Sequence, residues 1–124
     1  MRFMMIMIPE VYRKPVRPDF MPDPRAIEKM GKYNQELHKA GVLVALDGLA
    51  PPSAGARVAF ADGAAKVVDV PMGGDVIGGY WMLRVSSRDE ALEWAKRCPA
   101  GANDLIEIRQ VHEPEDFGPE RGKR

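Results

Sequence analysis

The chain opens on six consecutive apolar residues, Phe3-Met4-Met5-Ile6-Met7-Ile8, and repeats such runs at Val42-Leu43-Val44-Ala45-Leu46 and Tyr80-Trp81-Met82-Leu83. Strands of this kind are apolar on both faces, so each needs cover on two sides. A chain of 124 residues with two helices covers one face of such a sheet and leaves the other to a second layer. A second copy of the chain is the simplest source of that layer, and a homodimer is therefore expected.

Composition narrows the partners. Eighteen Lys and Arg balance eighteen Asp and Glu, so there is no basic field for nucleic acid or for an anionic membrane surface. The single cysteine, Cys98, has no disulfide partner, and two histidines with one cysteine give no zinc spacing. No metal and no cofactor are expected. The N-terminal apolar run ends at Pro9-Glu10 without a small-residue cleavage site and reads as a strand rather than a signal peptide. No stretch reaches the ~20 apolar residues of a membrane span, and a cytoplasmic protein is expected.

Residues 13–24 carry Pro15, Pro18, Pro22 and Pro24 and form a loop. Asp23 then offers an N-cap and Pro24 a first helical residue. Ile27, Met30, Tyr33, Leu37 and Ala40 recur at helical spacing until Gly41. Residues 42–46 form the second strand. Asp62-Gly63 supplies a tight turn between strands 57–61 and 64–70. A strand over 79–85 leads into Ser87-Arg88-Asp89-Glu90, a capping box. The second helix follows to Pro99, with Ala91, Leu92, Ala95 and Cys98 on one stripe. Residues 105–111 form the last strand. The order is a ferredoxin-like βαββαβ α+β fold with an inserted β-hairpin, and two such sheets face to face would make a dimeric α+β barrel. The domain is expected over residues 1–112. Residues 113–124 read as a polar C-terminal tail, mobile beyond Pro119.

Three segments carry a family resemblance: residues 43–52 (LVALDGLAPP), 69–72 (DVPM) and above all 78–99 (GGYWMLRVSSRDEALEWAKRCP). Over residues 1–112 the chain resembles the YCII-related family, and within it the branch named for an Asp-Gly-Pro-Phe motif. Here Val70 and Met72 replace the glycine and phenylalanine of that motif, while Asp69 and Pro71 remain. The resemblance implies the dimeric α+β barrel. Other members carry a histidine in the first helix, acting with an acidic residue, where this chain has Met30. It also implies activities like those of small lyases or dehydrochlorinases, and gene neighbourhoods shared with alternative sigma factors.

Strand alternation sorts the side chains. Trp81, Leu83 and Val85 point to the helices; Tyr80, Met82 and Arg84 point away. Ile106 and Ile108 oppose Glu107 and Arg109 in the same way. Tyr80, Arg84, Glu107 and Arg109 are thereby expected between the sheets, with Asp47 and Asp69 at the rim, as a small-molecule ligand site. Interface ion pairs among Arg84, Glu107 and Arg109 are the other reading of the same pattern. Asp69 is the candidate catalytic residue, since a carboxylate beside an apolar interior can exchange a proton; its plainer role is a turn aspartate before Pro71. His38, on the solvent side of the first helix, and Cys98, a small packing residue, are assigned no chemistry. Gly78-Gly79 lead into a strand rather than a helix, which marks close backbone approach and not a nucleotide loop. Two functions remain open: a cofactor-independent lyase or isomerase using an acidic residue in the inter-sheet cavity, and a non-catalytic ligand-binding or regulatory protein linked to transcription.

Overall fold

The computed structural model describes residues 1–71 and 73–118. Met72 of the altered motif, and the tail expected to be mobile beyond Pro119, lie outside the described residues. The elements are β1 (Arg2–Ile8), α1 (Pro24–Lys39), β2 (Leu43–Gly48), β3 (Arg57–Ala61), β4 (Ala64–Val68), β5 (Gly79–Arg84), α2 (Arg88–Lys96) and β6 (Leu105–Gln110), with two short 3-10 turns between them and a third after β6. Four strands form one antiparallel sheet in the order β2-β5-β1-β6. This is the ferredoxin-like order, because each helix carries the chain from one strand to a non-adjacent one.

Local chemistry accounts for the element ends. The Asp23 carboxylate accepts from the Arg25 amide at 2.8 Å and Pro24 opens α1. The Ser87 hydroxyl accepts from the Glu90 amide at 3.1 Å. The Glu90 carboxylate does not return to the backbone of Ser87, as a capping box requires. It accepts from the amide and hydroxyl of Ser86, at 2.6 and 2.8 Å, and these bonds hold its pKa below the usual glutamate value. Asp62 and Gly63 take φ of 52° and 75°, the left-handed pair that a tight hairpin turn demands.

Both helices cover one face of the sheet. Phe3, Met5, Trp81 and Leu83 are buried there with Tyr33 and Leu37 of α1 and Ala91 of α2. The Tyr33 ring meets Trp81 edge-on, with centroids 6.0 Å apart, and its hydroxyl donates to the Trp94 carbonyl at 2.6 Å. Along the periodic stripe of α1 the burial is uneven, with Met30 partly buried against the core. Tyr33 and Leu37 are buried, whereas Ile27 is 48% exposed. Along α2 and the turn after it, Ala91, Ala95 and Cys98 of the expected stripe lie in or against the core with Trp94 beside them, and Leu92 is not part of it.

On the opposite face Met4, Ile6, Tyr80 and Met82 are only half-buried. The β3–β4 hairpin forms a separate two-stranded sheet, and all of its strand residues are exposed, with Phe60 at 83% and Val67 at 76%. A single copy of this chain thus leaves two apolar surfaces in water, which is uncommon for a protein that works as a monomer. The tail begins in order: the Glu113 carboxylate takes both Nε and Nη2 of Arg2, at 2.8 and 3.1 Å, and Pro114–Phe117 form a 3-10 turn.

Candidate functional site

The position of Asp47 depends on an irregularity in β2. Strict alternation would place Leu43, Ala45 and Asp47 on one face. The register instead shifts between Leu43 and Ala45, with Leu43 opposite Leu83, Ala45 opposite Met82 and Asp47 opposite Tyr80. The shift keeps Leu43 and Leu46 on the helix side and turns Asp47 to the open side, beside Tyr80. The Tyr80 hydroxyl donates to Asp47 Oδ2 at 2.7 Å. That bond, and the carboxylate charge behind it, push the tyrosine pKa up, so the phenol stays protonated and remains a donor.

Beside this pair, residues of the first half of α1 and the ends of β2 and β5 line a cleft of about 390 Å³. Its apolar walls include Ile27 and Met30 of α1, Met7, Leu46 and Trp81, and both Asp47 and Tyr80 lie on its lining. The Trp81 indole nitrogen donates to Asn34 Oδ1 at 2.7 Å, which fixes the indole ring as a wall. A wider groove of about 750 Å³ continues from the cleft beneath the proline-bearing loop, past Tyr12 and Phe20. Glycine at 78 and 79 is a packing requirement here. A Cβ at Gly78 would stand 2.7 Å from Pro9 Cγ, and one at Gly79 would stand 3.0 Å from the Asp47 carbonyl oxygen. The cleft has the form of a ligand site, mostly apolar with a few convergent polar groups. A helical hydrophobic stripe reads the same whether or not a cleft opens beside it, so the spacing of Ile27 and Met30 carried no signal for one there.

The structure brings some of the expected site residues together and separates others. Asp47 and Tyr80 form the pair just described. Glu107 and Arg109 lie on the open face at the β6 edge and form an exposed ion pair at 3.4 Å. Arg84 stands opposite Arg2, close enough to Glu113 to help lower that carboxyl's pKa, although the hydrogen bond from Arg2 is the larger cause. Asp69 lies apart, exposed at the hairpin exit, on the lining of a shallow pocket of about 190 Å³ with Pro52, Ser53, Gly55 and Val70. Cys98 is half-buried against Met30 and the core, and burial pushes its thiol pKa up to about 11, which keeps it protonated and a poor nucleophile at neutral pH. His38 is exposed.

Among the described residues no cluster of three or more His, Cys, Asp or Glu side chains is arranged to hold a metal ion. No helix among them is long and apolar enough to cross a membrane. None of the curated proteins matches the chain. A family model, that of the YCII-related domain, matches residues 1–115, nearly the whole described chain and all of the strands and helices that build the cleft. The chain belongs to the YCII-related family.

Proposed function

We propose that this chain is a small-molecule-binding protein that works as a homodimer, its ligand seated between α1 and the ends of β2 and β5. The observation that carries the reading is an apolar cleft of about 390 Å³ whose lining includes both Tyr80 and Asp47, the two residues being joined by a 2.7 Å hydrogen bond. Trp81, Met30 and Ile27 offer flat and flexible apolar contact to a ring or short chain. Asp47 has one oxygen engaged by Tyr80 and the other free to accept from a hydroxyl or amine of the ligand. By register the Asp47 and Tyr80 side chains lie on the open face, while α1 covers the other, so the two residues border the cleft at the ends of β2 and β5 and turn their polar groups toward the surface that a second copy would cover.

Proton transfer in a lyase or isomerase is the second reading, favoured by the same carboxylate–phenol couple: Asp47 would take a proton and the Tyr80 hydroxyl would steady a developing oxyanion. This moves the acid–base role from Asp69 to Asp47, because Asp69 lies in a shallow pocket that does not include the pair. A ligand-responsive role in transcription would use the same cleft without turnover.

The test begins with a thermal-shift screen of small hydroxylated and carboxylated aromatics, followed by calorimetry on the hits. Ala26→Trp, which fills the cleft wall, is expected to abolish binding, Asp47→Asn to weaken it, and Asp69→Asn to leave it unchanged. Undiminished binding to Ala26→Trp would exclude the cleft. If a hit is also turned over, loss of product with Asp69→Asn but not with Asp47→Asn would return the chemistry to the hairpin exit.

A further inference from the structure

The open face is charged in rows. Residues paired in register across an antiparallel sheet share a face, and the pairings place Asp47, Tyr80, Ile6 and Glu107 in one row, Ala45, Met82, Met4 and Arg109 in the next, and Arg84 and Arg2 in the third. One end of the face therefore carries the Asp47 and Glu107 carboxylates and the other the Arg84 and Arg2 guanidinium groups, with methionines between; Glu107 is already paired with Arg109 and Arg2 with Glu113, which leaves Asp47 and Arg84 as the charges of these rows without an ion pair among the described residues. Two residues along a strand advance about 6.8 Å, so the first and third rows are about 14 Å apart. That exceeds the range over which exposed charges in physiological salt still act strongly on one another.

Two copies facing each other across a two-fold axis in the interface plane, with the strands of the two sheets kept nearly aligned, have two choices. An axis along the strands lays each row on its own copy, putting Asp47 against Glu107 and Arg84 against Arg2 of the second copy. An axis across the strands reverses the rows. It places Arg84 of the second copy above the Tyr80–Asp47 pair and sets Met82 against Met82 and Met4 against Met4, within the ~30° at which packed sheets cross. Like charges brought together in an interface repel, whereas opposed ones steer and hold the complex. The reversed arrangement also sets Arg109 against itself, but that side chain is 74% exposed at the sheet edge and already paired with Glu107, so its repulsion is screened. Arg84 has no ion pair of its own among the described residues.

We propose that the open face takes a second copy of this chain in the reversed orientation, β5 lying antiparallel across β5, so that Arg84 of each protomer completes the Tyr80–Asp47 site of the other. The inference rests on the homodimeric reading above and adds which end of the face meets which.

Charge exchange on the full-length chain tests it, with dissociation constants read by sedimentation. Arg84→Glu is expected to raise the constant by more than about tenfold, since it opposes Asp47, and Asp47→Arg to do the same. An equimolar mixture of the two variants should assemble as tightly as wild type, because each heterodimer then holds one native and one exchanged ion pair. Arg84→Gln, which keeps the length of the side chain, should weaken assembly and reduce its salt dependence, with circular dichroism verifying the fold. Arg84→Glu dimers as tight as or tighter than wild type, or a mixture no tighter than its components, would overturn the orientation while leaving the dimer intact. A monomeric wild type would overturn the dimer itself.

Discussion

Replacing Tyr33 with Phe removes one hydroxyl from the centre of the core and leaves its ring in place. The ring is 3% exposed and keeps its edge contact with Trp81, so the change isolates the 2.6 Å hydrogen bond to the Trp94 carbonyl. That carbonyl is also approached by the Arg97 amide at 3.1 Å and is not orphaned by the substitution. The loss should therefore stay near the net worth of one hydrogen bond, about 1 kcal/mol, rather than the larger penalty of an unpaired buried acceptor. In a domain of this size it corresponds to a fall of about 4 °C in Tm. Urea unfolding at 25 °C should show a lower midpoint with an unchanged slope.

Tyr33 also predicts a pH effect. Burial pushes its pKa well above the ordinary value of 10, so the folded protein disfavours the phenolate. The stability tied to the neutral hydroxyl is fully present below about pH 10 and is lost as pH rises toward the higher folded value. Wild-type and Tyr33→Phe stabilities should converge above pH 10. A smaller alkaline slope should persist from Tyr12, which burial shifts in the same direction. A variant as stable as wild type at neutral pH, or an alkaline slope unchanged by the substitution, would refute the assignment of Tyr33 as a buried, bonded donor.

Met82→Asp should weaken self-association by several kcal/mol, because it sets an unpaired carboxylate in an apolar interface. The circular dichroism should be kept, since Met82 points away from the helix-side core. Glu113 is held below the usual glutamate pKa chiefly by its hydrogen bond from Arg2. Its contribution is thus fully present above about pH 4.3 and lost as pH falls below that. Glu113→Gln should flatten the acid limb of a stability–pH curve, leaving the part due to Glu90. Gly78→Ala should cost about 1–3 kcal/mol in urea unfolding, from the 2.7 Å approach to Pro9.

The local features were legible in the sequence because their causes are local. Asp62-Gly63 specified its turn, Asp23-Pro24 began α1 where expected, and the alternation of Trp81 and Leu83 against Tyr80 and Met82 separated the two faces of β5. Features set by contacts distant in sequence were not. The shift in β2 that turns Asp47 toward Tyr80 leaves no mark in LVALDG, since a bulge changes pairing without changing composition. Glu90 chose Ser86 over Ser87 through loop geometry that the capping pattern does not encode. The exposure of Ile27 beside the cleft depends on what lies across from it in the fold, which helical spacing does not record. That the β3–β4 hairpin stays a separate sheet, with Asp69 lining a different pocket from Tyr80, is likewise not written in the alternation of its strands.

A second copy of the chain is proposed to complete the open face of the sheet, with the Tyr80–Asp47 pair at its margin. Sedimentation equilibrium of the wild-type protein at micromolar concentration should give a species of twice the 13.8 kDa chain mass; a stable, folded monomer of 13.8 kDa across the same concentrations would refute the dimer.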